Sequence, residues 1–237
     1  MNLPQKKHTH QNVLSLMSYI KKGSGKYRTI LHKQATPKEL HSPTNWRSKL
    51  NDTTITAKHI KQFRKNLQSR YTSSEIACTL TRFKLGKTLF GNQLPHIGSE
   101  DTIYCKTCLR ETQTETVEDL VHATFMCPHV KTIIHAVSAH FFPNNTHTYT
   151  PKDIILSCIS DLHKLYGGKP GQILYSLIWD NYLYYILTCK AKNVTPLHEI
   201  AIENIKKTIN NILTLLPKTM VSKHILTSPE LKQIFRS

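Results

Sequence analysis

Four residues within a 23-residue stretch have the types and spacing to hold one metal ion: Cys105, Cys108, His122 and Cys127. Two cysteines separated by two residues can aim both sulfurs at one ion from a tight turn. A second pair thirteen residues further on completes a tetrahedron of three thiolates and one imidazole. Zinc is the first choice for that donor set. Four protein ligands leave no position for water, so the expectation is one structural Zn2+ rather than a catalytic ion. His129 and His135 are alternative nitrogen ligands nearby. The competing reading is that these are separately buried thiols, as is expected for Cys78, Cys158 and Cys189. No basic-then-apolar segment opens the sequence, which predicts a nuclear or cytoplasmic protein and not a secreted one. In such a reducing compartment, closely spaced cysteines point to metal before disulfides.

The second ligand pair needs an element to hold it. Thr116-Val117-Glu118-Asp119 reads as a helix start, which places His122 in the second turn. Cys127 follows five residues later, about 140° round an α-helix from His122. Both can face one ion only if the helix ends or tightens near Met126, and Pro128 favours an ending.

Charge describes the partner. Lys and Arg number 32 against 15 Asp and Glu, a formal net charge of +17 and a sequence pI of 9.7. Residues 1–100 carry 18 basic and 4 acidic side chains, while residues 101–130 carry 2 and 5. This imbalance argues against an ordinary metabolic enzyme and for a polyanion, RNA or DNA. The expected phosphate contacts are Lys58, Lys61, Arg64, Lys65, Arg70, Arg82, Lys84 and Lys87, just ahead of the metal ligands. No membrane partner is expected. The most apolar stretch, Ile173 to Cys189, contains Asp180 and Asn181 and is shorter than the ~20 residues of a span.

The periodicity predicts a mainly α protein in three regions. Residues 1–50 read as a basic arm or linker, with a helix over His10–Lys22 and a Pro- and Gly-punctuated stretch from Gly23 to Trp46; a solvated tail and an ordered arm both fit. Residues 51–130 hold a basic helical pair and the zinc-stapled (CCHC) loop-helix unit. The first helix, Thr56–Arg70, turns Ile60, Phe63 and Leu67 to the core. The second opens on a capping box, Thr72 with Glu75, and closes at Gly86. Residues 131–237 form a C-terminal helical bundle. Its start signals are Thr150-Pro151-Lys152-Asp153, Thr195-Pro196 and Ser228-Pro229, and Gln172–Lys190 is its central helix.

Several of these residues also form a known pattern. Leu80-Thr81-Arg82-Phe83-Lys84-Leu85-Gly86, the Cys105 and Cys108 pair, the acidic stretch after it and His122-x4-Cys127-Pro128 resemble the zinc-binding region of non-LTR (LINE-type) retrotransposon reverse transcriptases. Arg82, Gly86, Glu115, Thr116, His122, Cys127 and Pro128 occupy the places of that family's motif. Leu177 to Tyr182, followed by Thr195-Pro196, is similar to the tryptophan-containing helix that follows it. The likeness covers about residues 76–210. It implies a nucleic-acid-binding module from the region after the polymerase, holding template RNA or target DNA, with the reverse transcriptase core of the same element as a further partner.

Two departures from the family pattern stand out. The interval from Cys108 to His122 is longer than usual, and no Asp-Asp pair exists to hold polymerase Mg2+. Asp153, Asp161 and Asp180 lack the partner acid and following lysine of a nuclease. Gly167-Gly168-Lys169 lacks the leading glycine of a phosphate loop. The expectation is therefore a binding module without an enzymatic activity of its own. The alternative is a zinc-stapled helical protein-interaction module that meets its partner through Tyr182, Leu183 and Tyr185.

Overall fold

The computed structural model describes residues 43–236 apart from 68, 70, 85–87, 89, 94–101, 144–145 and 158–167. In chain order the helices are α1 (Pro43–Leu50), α2 (Ala57–Leu67), α3 (Ser74–Lys84), α4 (Lys106–Thr112), α5 (Pro128–Phe141), α6 (Pro151–Ile155), α7 (Gly168–Ala191), α8 (His198–Leu215), α9 (Met220–Thr227) and α10 (Pro229–Arg236). A 3-10 turn occupies Gly91–Gln93, and a π-helical turn occupies His122–Met126. The protein is mainly α. Among the described residues, β pairing is limited to one antiparallel bridge, Tyr104 with Val117. No described helix is long and apolar enough to cross a membrane.

Helix α7 is the axis of the fold because it is apolar on nearly every side. Trp179, Tyr182 and Leu183 are completely buried in it. It packs against α2, α3, α6, α8, α9 and the π turn. Trp179 is ringed edge-on by Tyr149, Tyr175 and Tyr182 and stacks on Phe142. One apolar cluster runs from Trp46 through the metal-ligand cysteines to Phe235, so the core continues across the boundary expected at residue 130.

Several element ends follow their local chemistry. Thr150 and Asp153 form the expected capping box at α6. That helix is short and ends at Ile155. At α3 the cap sits one residue later than expected: the Ser73 hydroxyl accepts from the Ile76 N–H, while Thr72 donates to the Asn66 carbonyl. Helix α1 lies where a linker was expected. Trp46 gives it an anchor, buried edge-on against Phe63. The helix expected over residues 10–22 lies outside the described residues.

Candidate metal centre

The first ligand pair sits at a helix start. Cys105 is the N-cap residue of α4, with extended backbone angles, and Cys108 lies in its first turn. The loop is closed on itself. The Cys105 N–H donates to the Thr116 carbonyl at 2.8 Å, and the Glu118 N–H to the Ile103 carbonyl at 2.9 Å. Gln113, in the left-handed region, reverses the chain between them.

The second pair is brought into line by a widened helix. Asp119 Oδ1 accepts from the His122 N–H at 2.6 Å, so the helix begins at Leu120 and His122 lies in its first turn, not its second. The Cys127 N–H then bonds the His122 carbonyl at 2.9 Å, an i to i+5 bond. A π turn takes about 4.4 residues, so five residues advance much less past a full revolution than they would in an α-helix. The helix ends at Cys127 as expected, but it reaches that end by widening instead of tightening. Pro128 cannot extend the turn and serves as the first residue of α5.

The four ligand atoms lie within 4.8 Å of one another, and all four residues are buried. Cys108 Sγ is 3.5 Å from His122 Nε2 and 3.6 Å from Cys127 Sγ. The Cys127 thiol, His122 and the Cys108 backbone N–H all donate to the Cys105 sulfur; against the opposing effect of burial they push its pKa down to about 3. Burial raises the Cys108 thiol, and hydrogen bonding to the Cys105 sulfur raises Cys127. A buried thiolate beside two more sulfurs and an imidazole is a site for a metal cation. Among the described residues it is the one such cluster, and neither His129 nor His135 belongs to it.

Two contacts invisible in the sequence hold this unit on α7. The Tyr182 hydroxyl donates to the Thr124 carbonyl at 2.9 Å, inside the π turn. Lys190 forms an ion pair with the nearly buried Glu118 carboxylate, which also accepts from the Gly91 N–H at 3.2 Å. Residue 91 must be glycine here. A Cβ would stand 2.3 Å from the Ile103 carbonyl oxygen.

The expected phosphate contacts separate by exposure. Lys58, Lys61, Lys65 and Arg82 are exposed, and Arg64 is half-buried. Lys84 is the last residue of α3, while Arg70 and Lys87 lie outside the described residues. One expectation is corrected, and the alternative loses its contact face. Cys78 is exposed rather than a buried thiol. Tyr182, Leu183 and Tyr185 are buried in the core around α7, so they form no protein-contact face.

Searches of protein-family models, curated proteins and solved structures found nothing that matches this chain.

Proposed function

We propose that this chain is a nucleic-acid-binding module whose Cys105, Cys108, His122 and Cys127 hold one structural Zn2+. Tetrahedral zinc, with bonds of about 2.3 Å to sulfur and about 2.0 Å to nitrogen, separates its sulfurs by about 3.8 Å and sulfur from nitrogen by about 3.5 Å. Two of the six separations, 3.6 and 3.5 Å, match that geometry, and the three-sulfur, one-nitrogen donor set supports zinc as the occupant.

The observation that carries the nucleic-acid reading is a stripe of lysines. Lys58, Lys61 and Lys65 follow one another at i, i+3 and i+7 on α2 and are all exposed. Ile60 and Phe63 fix the opposite face in the core. A row of unengaged ammonium groups on a rigid helix suits successive phosphates of one strand. The resemblance to the zinc region of non-LTR retrotransposon reverse transcriptases supports the same reading, with template RNA or target DNA as the strand. The metal unit would then act as a staple, fixing the loop and the π turn against α7 beside this surface.

The test reverses charge on the stripe. Lys58→Glu, Lys61→Glu and Lys65→Glu together should abolish binding to single-stranded RNA and DNA and leave metal content and helicity intact. Each single change should lower the log–log salt slope by about 0.7. Lys207→Glu, Lys218→Glu and Lys223→Glu, also exposed, form the control of equal charge. Equal losses from the two sets would sink the assignment, since net charge alone would then explain association.

A further inference from the structure

Helix α2 opens on a titratable cap. Thr56 is its N-cap residue, with a carbonyl that accepts from the Ile60 N–H at 3.3 Å. The Thr56 N–H donates to His59 Nδ1 at 3.1 Å, and the Thr56 hydroxyl lies 3.4 Å from the same nitrogen. A side chain at the third helical position that reaches back to the N-cap N–H is one half of a capping box, a place ordinarily taken by glutamate or glutamine. Imidazole can fill it only when neutral, with its proton on Nε2. A second proton turns Nδ1 into a donor, facing an N–H that donates as well. The box at α6 differs on this point. There the Asp153 carboxylate accepts from the Thr150 N–H at 2.8 Å, and a carboxylate accepts in its charged form.

Surroundings and position disfavour a second proton on His59. Burial lowers its pKa and the Lys152 ammonium lowers it further; Asp52 and Asp153 act in the opposite direction, and Lys58 adds to Lys152. The neighbours are themselves held in place. Lys152, on α6, donates to the Thr54 hydroxyl at 2.7 Å and stands 3.6 Å from Asp52, while Asp153 lies 3.2 Å from His147. An imidazolium would also sit at the positive end of the helix dipole. Because the folded pKa lies below that of the unfolded chain, the cap is complete above the ordinary histidine value of about 6.5. It is lost as pH falls through the lowered value.

Lys58, the first residue of the lysine stripe, precedes His59 in this same turn and is exposed. We propose that protonation of His59 opens the first turn of α2 and takes Lys58 out of the stripe, so that acid weakens the hold on a strand. The proposal rests on the nucleic-acid reading above and adds its regulation. It runs against simple charge counting, in which a chain with 14 histidines gains positive charge and binds phosphate more tightly as pH falls.

The test compares the full zinc-loaded chain with its His59→Gln variant at pH 7.5 and pH 5.5, using twelve-nucleotide oligouridylate. Glutamine accepts at both pH values, and the variant keeps every other histidine and the metal ligands. The Cα chemical shifts of Thr56, Ala57 and Lys58 read the turn directly, without any ligand. In the wild type they should move toward coil values at pH 5.5, and in the variant they should stay where they are. The salt slopes of the two proteins should agree at pH 7.5. At pH 5.5 the wild type should be shallower by about 0.7, the equivalent of one phosphate contact. Unmoved Cα shifts in the wild type at pH 5.5 would overturn the proposal whatever the binding data show. Equal slopes at pH 5.5 from two proteins that bind would overturn it as well and leave the lysine stripe standing. Shifts that move in the wild type alone, with no oligonucleotide bound at either pH, would overturn the nucleic-acid reading and with it the proposed regulation.

Discussion

Pro128 has no N–H, so the Thr124 carbonyl cannot make the ordinary i to i+4 bond of a helix. Tyr182 fills the gap from the middle of α7, with a fully buried ring and its hydroxyl on that oxygen. Tyr182→Phe keeps the ring and removes only the donor. The carbonyl would then be buried without a partner, a cost of about 1–3 kcal/mol. Urea denaturation should show that loss with an unchanged m-value; a loss below ~0.5 kcal/mol would mean that water replaces the hydroxyl. The ligand residues themselves were legible because cysteine spacing carries geometric meaning. Tyr182 was not: that its hydroxyl meets residue 124 depends on how α7 packs, and no local pattern encodes a contact across 58 positions.

At the scale of elements, the informative case is the short helix from Leu120 to Met126. An α-helical rotation of 100° per residue leaves His122 and Cys127 on different faces, and that mismatch signalled irregular geometry near Met126. The form of the irregularity followed from bonds that the sequence does not rank, namely the Asp119 cap and the i to i+5 bond closing on Cys127. Asp119→Ala should cost about 1 kcal/mol through loss of the cap. Because the capped N–H belongs to a ligand, metal affinity should fall by about fivefold as well, read by chelator competition. Unaltered affinity would show that the ligand cage alone fixes His122. Elsewhere, legibility tracked the strength of local signals. The Thr150 and Asp153 box and the apolar length of α7 were readable. Helix α9 opens on Thr219, whose hydroxyl accepts from the Ser222 N–H, a cap that the sequence reading left unused, and α1 owes its place to Trp46 meeting Phe63 across the chain.

For the whole molecule, the core is continuous through the Cys105–Cys127 unit, yet an ion held there would matter to its parts unequally. Helices α7 and α8 bury Leu174, Trp179, Leu183, Ile205 and Ile209 against one another and their neighbours. The loop from Ile103 to Cys127 has the bridge, a seven-residue helix and the π turn. A structural zinc contributes on the order of 10 kcal/mol in small modules. Chelation should therefore remove hydrogen-exchange protection from residues 103–127 and leave it in α7 and α8. Cys105→Ser and Cys127→Ser should each lose stoichiometric zinc by elemental analysis; full occupancy in both would refute the ligand set. Burial raises the Cys108 thiol and hydrogen bonding to the Cys105 sulfur raises Cys127, so each must give up a proton to serve as a thiolate ligand. Metal loading should therefore release protons and decline as pH falls, read by chelator competition across pH.

The chain has two tryptophans, and the fold sets them differently with respect to the Cys105, Cys108, His122 and Cys127 cluster. Trp179 touches Tyr182 edge-on at 5.4 Å between centroids, and Tyr182 ends on the π turn that contributes His122. Trp46 lies in α1 against Phe63 of α2, among the basic helices. Intrinsic emission thus divides into two reporters. A cobalt ion substituted at the four residues should quench Trp179, which reaches the π turn through Tyr182, more than Trp46, while a strand laid along α2 should perturb Trp46 first. One cuvette could follow loading of the metal and occupancy of the basic surface as separate signals, without a label.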